Sequence, residues 1–218
     1  MKTRNKVLTL SLSAVLLVAA SVLGTMAYLT STQSVTNTFT VGKVGITLDE
    51  AKTNEYGVEV SGAERVTEND YKLIPGMTYV KDPTITVGSN SEDCYLFVKV
   101  ENGISDIEGK IDADNAAKVE TIYSQMGANK WKSVDEKTGI YYYAGDNTDA
   151  KPEKVSKGAK VKIFETFSVK HTVTTDDLES YDPDGSNSEK SIKITGYAIQ
   201  QAGFENETAQ NIWSKIEQ

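Results

Sequence analysis

The chain has very few of the residues that most often carry catalysis, metal binding or disulfide cross-links. It contains one cysteine, Cys94, and one histidine, His171, among 218 residues. A single cysteine excludes an internal disulfide, and the usual histidine zinc sites need two or three imidazoles. The sequence also lacks a Gly-x-Ser-x-Gly elbow and a phosphate-binding glycine loop. We therefore predict no catalytic residue, no cofactor and no enzyme activity.

Positive charge is also scarce. The sequence holds 23 lysines and arginines against 31 aspartates and glutamates, a formal net charge of −8. A chain of this charge repels phosphate backbones and anionic lipid headgroups. We therefore expect no nucleic acid partner, and contact with a membrane only through an uncleaved N-terminal leader.

The sequence has no uninterrupted apolar run of the ~20 residues that a membrane-spanning helix needs. An apolar stretch over Val7–Val18, broken by three polar residues, follows a basic start and precedes small residues that end at Ala27. This is the three-part pattern of a secretory signal peptide. We predict a signal peptide over residues 1–27, cleaved between Ala27 and Tyr28, with a retained helix as the less favoured alternative. Residues 28–218 then form one secreted domain.

The rest of the chain is patterned as β-strands. Apolar and polar residues alternate with period two in seven segments, which is typical of half-buried strands. These segments are Val35–Val41, Val44–Leu48, Met77–Val87, Cys94–Val100, Ile140–Tyr143, Val161–Val169 and Ile192–Ile199. No long helix alternates with them, which favours antiparallel pairing in an all-β sandwich or barrel. Pro83 indicates an edge or a bulge within its segment.

Two segments have helical spacing instead. The first, over residues 112–126, has Asp112 or Asp114 as its candidate N-cap and Gly127 at its end. The second follows a candidate cap at Asn206. Its apolar stripe consists of Ala209, Ile212, Trp213 and Ile216. We expect both helices to cover the β-structure.

Three residues that are chemically notable have structural explanations. Cys94 falls in the apolar row of its strand, so we expect a small buried hydrophobe. Glu165 shares a row with the apolar residues of Val161–Val169, as a catalytic acid with a raised pKa would. Because no second carboxylate is placed beside it, we interpret Glu165 as a rim or bulge residue. His171 is interpreted as a surface residue at a strand end.

Two other features are candidate binding surfaces. Acidic residues gather in the loop around Asp182 and Asp184, and calcium prefers oxygen ligands of this kind. The following glycine is misplaced for an EF-hand, so these two residues are only a weak calcium candidate and a solvated loop is favoured; we predict no metal site. The tyrosines of Tyr141–Tyr143 are either ordinary sheet packing, which we favour, or a platform for a sugar or a subunit.

Several segments together resemble a known family. Residues Gly24–Thr30 and Asn37–Leu48 are similar to the processing region and first strand of proteins released by the SipW-type signal peptidase, the TasA and camelysin proteins of Gram-positive bacteria. Some of these are fibre proteins of the biofilm matrix. The similarity continues through Leu73–Met77, Asp82–Pro83, Tyr95–Val100, Gly139–Tyr143, Tyr197–Phe204 and Trp213.

The resemblance implies a jelly-roll-like antiparallel β-sandwich with one or two short covering helices, secreted to the cell surface or the extracellular matrix. It also implies a structural fibre subunit. The N-terminal strand Tyr28 to Val41 of one copy would complete the sheet of the next, with Val35, Phe39 and Val41 as the inserting row. The implied partners are further copies of this chain, other matrix proteins and, during export, the signal peptidase. An unpaired strand edge is a template for such addition.

Two other functional classes remain open from the sequence. A monomeric cell-surface binding module or adhesin would bind glycan or calcium through Tyr141–Tyr143 or the loop near Asp182. A camelysin-type protease is least favoured, because the sequence has no recognisable set of zinc ligands.

Overall fold

The computed structural model describes residues 30–34, 37–38, 44–111, 119–135, 138–174, 177–178 and 191–216. Several predicted features lie outside these residues: the signal peptide and its cleavage site at Ala27 and Tyr28, the inserting row Val35, Phe39 and Val41, and the calcium candidates Asp182 and Asp184.

The described chain is mostly β-structure, as the sequence predicts. Its strands are β1 Thr30–Ser34, β2 Asn37–Thr38, β3 Ile46–Asp49, β4 Thr78–Val80, β5 Thr84–Val87, β6 Cys94–Asn102, β7 Lys110–Ile111, β8 Val119–Glu120, β9 Trp131–Asp135, β10 Ile140–Tyr143, β11 Lys160–Lys162, β12 Thr166–Ser168 and β13 Ile192–Gln200. Two short helices with defined ends accompany them in this part of the chain, α1 Ile122–Ala128 and α2 Ala209–Ile216. No helix within the described residues has the length and apolar character to cross a membrane.

All strand pairs are antiparallel. The largest sheet has the order β2-β1-β13-β6-β10-β9, a second has the order β11-β5-β3, and β12-β4 and β7-β8 form two-stranded sheets. The centre of the large sheet is the pair β6 and β13, which are in register from Cys94 opposite Gln200 to Asn102 opposite Ile192.

The main core lies on one face of the large sheet. Leu96 and Val98 of β6 and Ala198 of β13 pack there with Ile85 of β5 and Phe167 of β12, all of them buried. Side chains of the large sheet and the smaller sheets therefore share one hydrophobic cluster. Two β-layers around a common core are compatible with an all-β sandwich.

The opposite face of the large sheet is covered by α2. Ile212 and Trp213 of this helix join a second buried cluster with Phe97 of β6, Tyr142 of β10 and Ile199 of β13. Because β6 is covered on both faces, its residues from Cys94 to Val98 are all buried instead of alternating. The predicted apolar stripe does dock on the chain's own sheet. The hydroxyl of Thr208, rather than Asn206, accepts a hydrogen bond from the backbone N–H of Asn211 at 3.3 Å, which caps the helix.

The first predicted helix is shorter than the sequence pattern indicated. Its N-cap is Thr121, not Asp112 or Asp114, because Thr121 and Ser124 form a reciprocal capping box. Val119–Glu120, inside the predicted helix, is β8 and pairs with β7. Backbone pairing and a strong cap thus override the helical spacing.

Two segments predicted as single strands are each divided. Met77–Val87 becomes β4 and β5, which belong to different sheets, with Pro83 between them. Proline has no N–H to donate to a ladder, so the division at this residue has a direct cause. Val161–Val169 becomes β11 and β12, and Glu165 lies in the break between them.

Candidate functional site

The N-terminal strand forms an outer part of the large sheet. β1 runs antiparallel along β13, with Thr30 opposite Ile199 and Ser34 opposite Thr195. On its other side, β13 is paired with β6 over its whole length. β13 is therefore an interior strand only because β1 covers it. Without β1, five residues of its backbone would form an open edge.

The part of β13 that faces β1 has the composition of a strand that stays covered. Residues 195–199 read Thr-Gly-Tyr-Ala-Ile, without a charge or a proline, and each is buried or half-buried. By contrast, β9 at the far edge of the same sheet carries Lys132 and Asp135. Natural proteins place charges and prolines on exposed edges to prevent pairing. Residues 195–199 of β13 carry no such protection.

The N-terminal segment is not one continuous strand. β2 turns back on β1, with Ser34 opposite Asn37 and Gln33 opposite Thr38. Within the predicted strand Val35–Val41, the described residues Asn37–Thr38 form β2, and the residues described on β13 are those of β1. Alternation alone missed β1, because Thr30–Ser34 has the sequence Thr-Ser-Thr-Gln-Ser and contains no apolar residue.

The structure places the three chemically notable residues where the sequence interpretation put them. Cys94 is fully buried, and burial raises the pKa of its thiol to about 12. Glu165 is exposed and accepts a hydrogen bond from Nζ of Lys162 at 3.0 Å. His171 is exposed in a turn that follows β12. Cys94 is buried, whereas Glu165 and His171 are exposed. Among the described residues, no hydrogen bond or ion pair joins these three side chains into one site.

The three tyrosines of β10 are part of the sheet packing. Tyr142 is buried beneath α2, with its ring centroid 6.5 Å from that of Phe97. On the other face Tyr141 stacks on Tyr123 of α1 at 5.9 Å, and Tyr143 meets Trp131 at 5.6 Å. The rings are occupied by protein neighbours, so they do not form an open platform.

A groove of about 550 Å³ lies between α2 and the large sheet. Its lining residues are Lys99, Thr138, Ile140, Tyr197, Trp213 and Ile216. The sequence pattern identified Trp213 and Ile216 only as docking residues, and it gave no signal that Tyr197 and Lys99 would lie beside them. Aromatic rings with a cation at the rim suit a small polar ligand with an apolar face.

No group of three or more histidine, cysteine, aspartate or glutamate side chains is placed to hold a metal ion in the described parts of the chain. The chain matches no protein-family model, no curated protein and no solved structure.

Proposed function

We propose that this chain is a secreted structural subunit of an extracellular or cell-surface fibre and belongs with the TasA and camelysin proteins that its sequence resembles. The β1 segment of one subunit would occupy the β13 edge of the next. The observation that carries the proposal is the pairing of β1 with an edge of β13 that has no charge and no proline. The proposal also includes a jelly-roll topology for the sandwich and a signal peptide that is cleaved after Ala27.

Exchange of β1 between subunits keeps its backbone pairing with β13. The same five backbone pairs from Thr30–Ile199 to Ser34–Thr195 form within one chain or between two. The equilibrium then depends on concentration and on the conformation of the linking residues, as in domain swapping. Because each copy has one donor strand and one acceptor edge, the contact is head-to-tail and produces an open filament unless the rotation closes a ring.

A disulfide between two chains that carry different cysteine substitutions tests the exchange of β1. Ser34 and Thr195 are direct cross-strand partners, and Cα atoms at such positions lie about 4.5–5.5 Å apart, within disulfide range. Two single variants, Ser34→Cys and Thr195→Cys, are prepared from Tyr28 onward and mixed under mild oxidation. Neither variant can close this disulfide within its own chain. We expect a covalent heterodimer on a non-reducing gel, in samples that show filaments by electron microscopy.

The matched control pairs Ser34→Cys with Lys132→Cys, since Lys132 is exposed on β9 at the opposite edge of the same sheet. This mixture should give little heterodimer. Equal cross-linking in both mixtures, or a protein that stays monomeric with β1 intact, contradicts the proposal.

The groove beside α2 favours a second candidate, a cell-surface module that binds glycans. The half-buried Tyr197 and the edge of the buried Trp213 line it, and Lys99 adds a charged group. Titration with soluble oligosaccharides while tryptophan fluorescence is recorded tests this function. A saturable change that is lost in Tyr197→Ala supports it, and a flat titration at millimolar sugar contradicts it.

A further inference from the structure

A lysine, an asparagine and a glutamate meet where the loop after β3 packs against the end of β4. Nζ of Lys81 donates a hydrogen bond to Oε2 of Glu50 at 2.6 Å. Nδ2 of Asn69 donates to Oε1 of the same carboxylate at 2.9 Å. The side chains of Lys81 and Glu50 are only 12% and 5% exposed. A single buried carboxylate therefore holds the amine and the amide side by side.

The amide of Asn69 is fixed at both ends. Its Oδ1 accepts a hydrogen bond from the backbone N–H of Thr53 at 2.9 Å, and its Nδ2 also donates to the carbonyl of Ala51 at 2.9 Å. This pattern determines which end is oxygen and which is nitrogen. The carbonyl is polarised by a backbone donor, which is the arrangement that stabilises negative charge on an oxygen during attack at its carbon.

The backbone around the three residues is held firmly. Glu50 and Val66 exchange two backbone hydrogen bonds of 2.8 Å, which fixes the loop that leads to Asn69. Lys81 directly follows β4, and its backbone N–H donates to the carbonyl of Glu165 at 3.0 Å. Backbone hydrogen bonds therefore hold the segments that carry the amine, the carboxylate and the amide in place.

Aromatic rings enclose the site on one side. Nζ of Lys81 lies 5.9 Å from the ring centroid of Tyr71. That ring packs edge-on against Tyr79 at 5.8 Å and against Phe167 at 5.1 Å. Burial raises the pKa of Tyr71, and the charge of Glu50 adds to the effect. Tyr71, which itself packs on two other rings, therefore borders the amine of Lys81 on one side.

We propose that Lys81 and Asn69 form an intramolecular isopeptide bond, with Glu50 moving the protons. Because both side chains are hydrogen-bonded to one carboxylate of the same chain, their reaction is a unimolecular step with a high effective concentration. The site is separate from the β13 edge, so the bond does not depend on the proposed fibre function.

The reaction balances without any co-reactant. Oε2 of Glu50 takes a proton from the Lys81 ammonium, and the neutral Nζ attacks Cγ of Asn69. The negative charge on Oδ1 is stabilised by the N–H of Thr53. Glu50 gives a proton to Nδ2 and takes one from Nζ, the Cγ–Nδ2 bond breaks, and ammonia leaves. Ammonia then takes the proton from Glu50 and departs as ammonium. One amide bond forms, one breaks, and Glu50 returns to its carboxylate form.

The other described ion pairs of lysine with a carboxylate lack this environment. Lys99–Glu101, Lys130–Asp146, Lys154–Asp93 and Lys162–Glu165 are at the surface, with each side chain at least 39% exposed. In the described residues, the three-residue arrangement therefore distinguishes Lys81 from these surface lysines.

Peptide mapping of the purified protein tests the bond directly. The expected product is a branched peptide that joins Lys81 to Asn69, lighter than the sum of its two linear parts by one ammonia, about 17 Da, and resistant to trypsin at Lys81. Fragmentation of the branched peptide locates the bond and excludes ammonia loss elsewhere, for example at Asn102-Gly103. Recovery of both linear peptides at full mass overturns the proposal, and this measurement needs no variant to fold.

Variants test the role of each group. Lys81→Arg should give only linear peptides, and Glu50→Gln should reduce the branched fraction at least tenfold. Asn69→Asp should still form the bond but lose water, about 18 Da, because the leaving group is then hydroxide plus a proton. The matched control Lys162→Arg, at a surface ion pair, should leave the branched peptide unchanged. An undiminished bond in Glu50→Gln overturns the assignment of Glu50.

Discussion

Trp213 of α2 meets Tyr197 of β13 edge-on, with ring centroids 5.0 Å apart and ring planes at 89°. The same indole lies 5.7 Å from the ring of Phe97 on β6. T-shaped aromatic pairs add about 0.5–1.5 kcal/mol to the energy of burial. The helix therefore supports, from the face opposite the main core, the strand whose edge receives β1.

Removal of this indole should weaken the packing of α2 on the large sheet and lower the free energy of unfolding. Trp213→Ala leaves a cavity against Phe97 and Tyr197, and such truncations cost about 3–5 kcal/mol. Urea unfolding followed by circular dichroism measures the loss. The control is Gln210→Ala, an exposed position on the same helix, which should change the free energy of unfolding by less than about 0.5 kcal/mol. Equal losses at both positions contradict the packing role of Trp213.

The buried pair of Glu50 and Lys81 should be costly to break on one side only. Lys81→Met leaves an unpaired buried carboxylate, which costs about 3–5 kcal/mol. The double variant Glu50→Gln/Lys81→Met removes both charges and should be more stable than the single variant by at least about 1 kcal/mol. Neither variant has the amine needed for the proposed isopeptide bond, so the comparison isolates the cost of leaving the Glu50 carboxylate buried without its cationic partner. A double variant less stable than the single one contradicts this expectation.

Glu108 should make stability depend on pH. Its side chain lies in the core, 3% exposed, and accepts a hydrogen bond from the backbone N–H of Ile122 at 3.0 Å. Burial raises the pKa of this carboxyl above its ordinary value of 4.5, and the hydrogen bond and the charge of Lys170 offset the rise in part. The folded protein thus binds a proton more tightly than the unfolded chain. The resulting stabilisation is present below about pH 4.5 and is lost as the pH rises through the raised pKa.

The measurement for Glu108 is the free energy of unfolding of wild type and Glu108→Gln at several values from about pH 4 to about pH 8. The amide keeps an acceptor for Ile122 but does not titrate in this range. We expect the wild type to lose stability relative to the variant as the pH rises. A difference that stays constant across the range shows that Glu108 has an ordinary pKa in the folded protein.

Cys94 should be unreactive while the protein is folded. The thiol is fully buried in β6, and its pKa of about 12 leaves almost no thiolate at neutral pH. Iodoacetamide at about pH 8 should therefore modify the native protein at least a hundredfold more slowly than the protein in urea. Mass spectrometry of timed samples follows the adduct. Comparable rates in the two conditions would indicate that β6 opens often.

Most strands were predictable because their signal is local. Ile140–Tyr143 was located with its observed bounds, and Cys94–Val100 and Ile192–Ile199 were located to within two residues at their C-terminal ends. Alternation or continuous apolar character in these segments follows directly from burial of one or both faces. The divided segments around Pro83 and Glu165 were also marked in the sequence, by a residue that cannot pair and by a charge in an apolar row.

The errors occurred where local pattern and pairing disagree. The helical spacing of Val119 was overridden by the pairing of β8 with β7, and the cap moved to Thr121. β9 was missed because its residues Trp131–Asp135 do not alternate regularly. Alternation did not locate β1, because it has no apolar residue and its position depends on backbone bonds to β13; the family resemblance had included these residues in the strand Tyr28 to Val41.

The sequence by itself determined that the chain is rich in strands, that a C-terminal helix carries an apolar stripe, and that it lacks the histidines and cysteines of common catalytic and metal sites. These properties depend on composition and on periods of two and 3.6 residues, which are visible in a short window. Only the tertiary structure decided that β1 covers β13 and that Glu50, Asn69 and Lys81 converge. Asn69 and Lys81 lie 19 and 31 positions from Glu50 along the chain. Contacts at that separation follow from how the layers pack, which no local pattern specifies.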